Sequence, residues 1–228
     1  MIHALSQEEY DTILQPLENQ LTHRSIVDNQ YYEVYMTDAL PDRKLVYPCV
    51  YELAEDCLAA LEATFQHNGT GDFYLDISRV WEYRNKLGVM EKLPQYYYVP
   101  SGQLRYVLDD EGVALEYDHS EYPYVIIDHW ILYSAQGDWA LHIHGEANYA
   151  LLGGTQEFMK LFDSFYPDDS EHIQNFLKNY AGNCTWDAQN LEISYNWITR
   201  LMVHVYGYEI GIRKMNELGL FNAGNPPI

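Results

Sequence analysis

ILYSAQGDWALHIHGE, residues 131–146, is where this chain shows its architecture. Ser134-Ala-Gln-Gly137 is a short polar connection between a nearly continuous apolar run and an alternating one, the pattern of an antiparallel hairpin. Successive side chains of a strand point to opposite faces, so Trp139, Leu141 and Ile143 fall on one face and Asp138, His142 and His144 on the other. The apolar set is expected to face a core.

Around this hairpin, between Tyr96 and Leu152, β-forming residues dominate: YYYVP, LRYVL, VALEY, YVIIDHWILY, DWALHIH and NYALL, separated by Gly, Asp and Ser turn residues. An antiparallel meander is expected there. Asp72-Phe-Tyr-Leu-Asp-Ile77 alternates as a half-buried strand does. Helical spacing appears on both sides of the strand region. Ser6-Gln-Glu-Glu9 reads as a capping box opening a helix that Pro16 kinks or splits. From Val50 to Phe65 one apolar stripe runs through Leu53, Cys57, Leu58 and Leu61, with a stop at His67-Asn-Gly69. After Gly153-Gly154 the period returns to about 3.6. Phe158, Leu161, Phe162 and Phe165 form one stripe, Ile173, Phe176, Leu177 and Tyr180 a second that closes at Gly182-Asn183, and Leu191 to Ile212 a long third. The expected fold is one α+β domain over residues 1–228: an antiparallel sheet, meandering in the middle of the chain, with helices packed on one side and an all-helical C-terminal part.

The composition is that of a globular chain, with 47% hydrophobic and 21% charged residues. No apolar run reaches the roughly 18 residues a membrane helix needs, and MIHALSQEEYD lacks the basic and apolar regions of a secretion signal, so the cytoplasm is the expected location. Asn68-Gly-Thr70 and Asn183-Cys-Thr185 match glycosylation acceptors but are discounted on that ground. Cys49, Cys57 and Cys184 lack CxxC spacing and suggest neither a disulfide framework nor a zinc knuckle.

Charge is the outlier. There are 34 acids and 13 bases, a formal net charge of −21. Residues 1–114 hold 19 acids and 8 bases (−11) and residues 115–228 hold 15 and 5 (−10), so the acidity belongs to the whole body. Such a field repels nucleic acid and anionic membranes and attracts basic partners. Between Arg105 and Lys160 lie 54 residues without a lysine or arginine but with ten acids, among them Asp109, Asp110, Glu111, Glu116, Asp118 and Glu121. Six of the 22 tyrosines interleave them, including Tyr117, Tyr122 and Tyr124. One reading is a solvated acidic face. The sharper one is a docking face for a basic protein, with acids steering approach and phenolic rings supplying buried contact.

Few signs of chemistry compete with that reading. There is no phosphate-cradling GxxxxGK[ST] loop, no GxGxxG, no GxSxG elbow and no HExxH helix. Thr155, after Leu-Leu-Gly-Gly, reads as a helix cap, and paired acids such as Asp109-Asp110 carry little weight among 34. His142 and His144, at i and i+2 on one strand face with Glu146 following, resemble the HxH element of cupins and suggest a two-histidine, one-carboxylate metal site. The acid is two residues beyond the second histidine instead of four or five, Gly145 offers a bulge that turns it away, and no second cupin motif follows. Ordinary strand histidines are the other reading.

The segment DHWILYSAQGDWALHIHGEANYALLGG, residues 128–154, with the helix opening TQEFMKLF behind it, resembles the W-x-x-Y-S-x-x-G-x-W hairpin and LLGG turn of several bacterial immunity proteins, the cytoplasmic antidotes of polymorphic toxins. The likeness covers about 35 residues, 128–162. It implies a protein that binds a cognate toxin, often a basic nuclease, and blocks its active site without cofactor or catalytic residue. Two alternatives stand beside it: a metal-dependent enzyme centred on His142 and His144, and an acidic interaction domain of a larger assembly.

Overall fold

The computed structural model of the chain describes residues 1–26, 32–46, 55–69, 71–78, 82–84, 90–92, 94–108, 129–144, 149–166, 174, 177–178, 185–187, 192–194 and 197–219. It is an α+β fold built on a seven-stranded antiparallel sheet. The strands are β1 (His3–Ala4), β4 (Asp42–Val46), β5 (Phe73–Ser78), β8 (Tyr96–Val99), β9 (His129–Ser134), β10 (Trp139–His144) and β11 (Tyr149–Gly154), in the order β1-β8-β5-β9-β10-β11-β4. Three two-stranded ribbons stand apart: β2 (Thr22–Ile26) with β3 (Tyr32–Met36), β6 (Glu82–Arg84) with β7 (Met90–Lys92), and β12 (Thr185–Asp187) with β13 (Glu192–Ser194).

The hairpin reading holds for β9 and β10, joined by the turn in which Gly137 N–H donates to Ser134 O at 3.0 Å and Gly137 takes φ +75°. Among the described residues the meander is β9-β10-β11; VALEY and the first five residues of YVIIDHWILY lie outside them. β5 lies between β8 and β9, so the first half of the expected meander is interrupted by an earlier strand. LRYVL is not a strand: Leu104–Leu108 forms a short helix, α4, that buries Leu104, Val107 and Leu108, and this i, i+3, i+4 spacing fits a helical face as well as a β run.

Register sorts side chains by face. One rung across the sheet is Tyr97, Leu75, Leu132, Leu141, Leu152 and Lys44; the next is Tyr96, Asp76, Ile131, His142, Leu151 and Leu45. The first rung faces a core completed by α3 (Glu55–Asn68) and α5 (Gln156–Phe165). At its centre Trp139 is buried and stacks on Phe65 (5.0 Å between centroids) and Phe158 (5.9 Å). The second rung faces another core, roofed by the N-terminal helix, the β2-β3 ribbon, α6 (Trp197–Tyr206) and α7 (Tyr208–Glu217). The helices therefore cover both faces of the sheet, not one.

Local signals explain most of these elements. Ser6 Oγ accepts from Glu9 N–H at 3.3 Å while Ser6 N–H donates to the Glu9 carboxylate at 2.8 Å, completing the capping box. Pro16 does not break the helix that follows. α1 (Gln7–Glu9) widens into a π-helical stretch, Tyr10–Leu14, before α2 (Gln15–Leu21), and Gln15 N–H donates to Tyr10 O. The wider turn accommodates a residue that has no N–H and crowds the preceding carbonyls. On α3 the stripe Cys57, Leu61 and Phe65 is buried as expected, and the helix stops at Asn68 before Gly69 with φ +65°. On α5, capped by Thr155, the buried face is Phe158, Met159 and Phe162, while Phe165 is 42% exposed and turned away.

The long C-terminal stripe is divided. The β12-β13 ribbon occupies its beginning, and Gly207 (φ +76°) breaks the remainder into α6 and α7. Gly211 then lets the two helices touch, since a Cβ there would lie 2.8 Å from the carbonyl oxygen of Met202. Of the stripe from Ile173 to Tyr180, only Leu177 is among the described residues, buried in helical backbone.

LLGG is not a turn: Leu151 to Gly154 complete β11, and the two glycines have a packing cause. Gly153 and Gly154 end β11 on opposite faces; a Cβ at Gly153 would lie 2.5 Å from the Met36 side chain, and one at Gly154 2.8 Å from Met159 and Phe158. Each missing side chain makes room for a partner from one covering layer. We expect Gly153→Ala to destabilise the protein by about 1–3 kcal/mol through overpacking. Adding Met36→Ala in a urea-denaturation double-mutant cycle should recover part of that loss, and strictly additive effects would refute the close-packing account.

Candidate functional site

The expected docking residues Asp109, Asp110, Glu111, Glu116, Tyr117, Asp118, Glu121, Tyr122 and Tyr124 lie outside the described residues. Their flanks are anchored. Leu108 ends α4 and Trp130 follows the first residue of β9, both buried in the first core. Arg105, the base that bounds the segment, is held by α3: its guanidinium donates to Glu55 at 2.8 and 2.9 Å and to Glu62 at 2.8 Å. The Arg105 hydrogen bond holds the Glu55 carboxyl below the ordinary range, so this pair is ionised and the base offers no free positive charge beside the acidic run. Of the interleaved tyrosines, Tyr106 is 43% exposed, whereas Tyr133 and Tyr149 belong to the second core. Exposed acids elsewhere sit on both covering layers, Glu8 and Asp11 on one side and Glu55, Asp56 and Glu157 on the other.

The histidine pair shares a face as alternation requires, but that face is covered. His142 is buried, its ring centroid 5.7 Å from His144, with Tyr149 packed 6.1 Å from His142 and 5.2 Å from His144. Glu146 lies outside the described residues. Among the described residues no three His, Cys, Asp or Glu side chains are grouped to hold a metal ion.

What the sequence did not announce is a buried charge cluster on the same face. Asp76, with no exposed surface, receives a hydrogen bond from Arg24 and another from Gln95 Nε2 at 2.9 Å. Arg24 also reaches Glu18 at 3.2 Å, and Tyr10 Oη donates to the other Glu18 oxygen at 3.1 Å. Tyr10 stacks on Tyr96 at 4.1 Å, and Tyr133 Oη shares a hydrogen bond with Thr22 Oγ1 at 3.2 Å. These groups come from α2, β2, β5, β8 and β9, and only a three-dimensional register brings them together. Alternation put Asp76 with Asp72 and Tyr74 on the polar face of a half-buried strand, and the structure corrects this: the second core buries Asp76 completely.

Burial raises the Glu18 carboxyl to about 7, the Asp76 charge adds to the shift, and Arg24 opposes it. Burial also pushes Asp76 upward against the pull of Arg24. At neutral pH the guanidinium thus faces two carboxyls competing for one proton. Buried at Asp76 and open to solvent only at Arg24 and its edges, the cluster ties the N-terminal helix and the β2-β3 ribbon to the sheet. A second buried polar contact ties α6 to the same ribbon: His204 Nε2 accepts from Met36 N–H at 3.1 Å. Burial and the Arg43 charge lower His204 to about 4, keeping it a neutral acceptor.

The chain matches no protein-family model, no curated protein and no solved structure.

A carboxyl whose pKa is raised on folding adds stability below its unfolded value and loses it as pH rises through the folded one. For Glu18 that window runs from about 4.5 to 7. His204 has the opposite sign, its contribution being complete above about 6.5 and lost as pH falls toward 4. Between pH 6.5 and 8 His204 adds only the smaller remainder of its rise, and that remainder is common to the wild type and a Glu18 variant. Glu18→Gln should remove a decline of roughly 1 kcal/mol across that interval. Urea midpoints at both pH values measure it, and a variant with the wild-type slope would show that Glu18 is already ionised at pH 6.5.

Proposed function

We propose that this protein is a cytoplasmic acidic binding protein that neutralises a cognate basic toxin by stoichiometric association, in the manner of the immunity proteins its central hairpin resembles. The observation that carries the reading is the formal charge of −21, divided almost equally between the two halves of the chain. A compact body with such a field attracts a basic surface at long range, and a nuclease groove built for phosphates is one such surface. The base-free segment from Arg105 to Lys160, with its acids and tyrosines, supplies the contact. Two features of the fold support this without specifying a partner. Leu108 and Trp130, on either side of residues 109–128, are both set in the first core, and the neighbouring Arg105 is already neutralised by Glu55 and Glu62. No helix of the described residues is long and apolar enough to cross a membrane.

The second reading is an acidic domain docking on a basic component of a larger assembly. It uses the same charge and the same segment and differs only in the partner. The metal-dependent alternative must place its ion beside a buried His142, and its third candidate ligand, Glu146, lies outside the described residues.

Tested against the secreted toxin domain encoded beside its gene, the protein should form a one-to-one complex and protect cells expressing that toxin. Association should slow steeply as salt rises, because steering charges are screened within a Debye length of about 10 Å at 0.1 M. Neutralising Asp109, Asp110 and Glu111 together should lower the association rate by about tenfold and leave folding intact. A toxin domain that is not bound would exclude the immunity reading, and affinity purification returning a basic protein of a host assembly would establish the second one. An association rate indifferent to salt and to the triple variant would refute both.

A further inference from the structure

At the outer side of β4, the edge strand of the sheet, α5 covers one face and α6 with α7 the other, and between them lies an open groove of about 970 Å³. Its volume is at the upper end of the roughly 300–1,000 Å³ typical of small-molecule sites. Its charge is opposite in character to the rest of the molecule. Four of the chain's thirteen bases, Arg43, Lys44, Lys160 and Lys214, line it, against Asp42, Asp163 and Glu217. Four minus three gives +1 locally, on a protein whose total is −21.

The four cations are not equivalent. Lys44 is bridged to Asp163 at 2.7 Å. Arg43 directs its donors to the backbone carbonyls of Leu40 (3.2 Å), His204 (3.1 Å) and Thr37 (3.1 Å), while its nearest carboxylate, Asp38, is fully exposed and 3.5 Å away. Its charge is thus fixed in place without close neutralisation. Lys214 stands over the Tyr206 ring at 4.9 Å, and neither it nor Lys160 pairs with a carboxylate among the described residues. Gln156, in the first turn of the ten-residue helix α5, also borders the groove and adds the partial positive charge of a helix N-terminus. Met159, Met202 and Leu218 supply apolar lining.

We propose that this groove binds a small organic phosphate, its anionic head among Lys160, Lys214 and Arg43 and its apolar body against the partly exposed Val205, Tyr206 and Leu218. The surrounding negative field argues for a small ligand over a polyanion. A nucleic acid strand or an anionic membrane meets the repulsion of the whole surface, whereas a compact anion within the groove meets only the local excess of bases. The site is separate from residues 109–128 and does not depend on the partner reading.

Titration calorimetry with octyl phosphate, below its micelle concentration, tests the proposal. Octyl phosphate should bind saturably at one site, with octanol and inorganic phosphate each weaker by about tenfold or more, because each lacks half of the recognition. Lys160→Gln combined with Lys214→Gln should weaken octyl phosphate by about tenfold, while Lys178→Gln combined with Arg213→Gln, an equal loss of charge at exposed residues outside the groove lining, should leave it within about twofold. On the unsubstituted protein, ¹³C-methyl spectra should show the partly exposed Val205 and Leu218 shifting on titration and the core residue Met36 unmoved, a readout that survives any folding defect of the variants. Absence of saturable binding, equal affinity for octanol, equal loss in the control double variant, or methyl shifts that spare Val205 and Leu218 would each overturn it.

Discussion

Burial of both faces of the antiparallel sheet is the constraint on which the rest of this structure depends. A sheet covered on one side can leave alternate residues to water; a sheet covered on both must satisfy every polar group internally. The second face carries Asp76 and His142 on a single rung, separated by Ile131. Each has consequences for its neighbours. Asp76 requires Arg24 and Gln95, Arg24 draws in Glu18, and Glu18 orients Tyr10, so one buried carboxylate organises residues from β2, α2, the π-helical stretch and the bend before β8.

The same constraint shows why the sequence was readable in some places and not in others. Alternation in β5 and β10 and the capping signals at Ser6 and Thr155 are local, and they survive into the structure because the tertiary fold agrees with them. LRYVL failed as a strand because a five-residue apolar pattern fits either period, and its packing against α3 selects the helix. The C-terminal stripe failed as one helix because Gly207 admits a backbone turn that side-chain periodicity does not register. Strand order was illegible: nothing local states that β5 pairs with both β8 and β9. Of the candidate sites, the histidine face was correctly read from alternation, and its burial was hidden because the covering elements come from the far ends of the chain. The Glu18–Arg24–Asp76 cluster and the basic groove were invisible for the same reason.

Charge and fold are arranged on different scales. The acidity is global and compositional, whereas the four bases at the β4 edge are gathered by topology from positions 43, 44, 160 and 214. A molecule can thus present a negative long-range field to macromolecules and a local positive site to something small. Long-range attraction and short-range recognition then act on different classes of ligand.

β4 pairs with β11 across more than a hundred residues of chain, Val46 opposite Ala150 and Asp42 opposite Gly154. During synthesis the early strand therefore emerges without its sheet neighbour, and the side of the sheet it completes cannot close until the chain beyond Gly154 has left the ribosome. At about 5–20 residues per second this is a wait of several seconds. In that interval Leu45 and Val46 have no register to occupy, and the adjacent Arg43 and Lys44 discourage mispairing of the unprotected strand with another nascent chain.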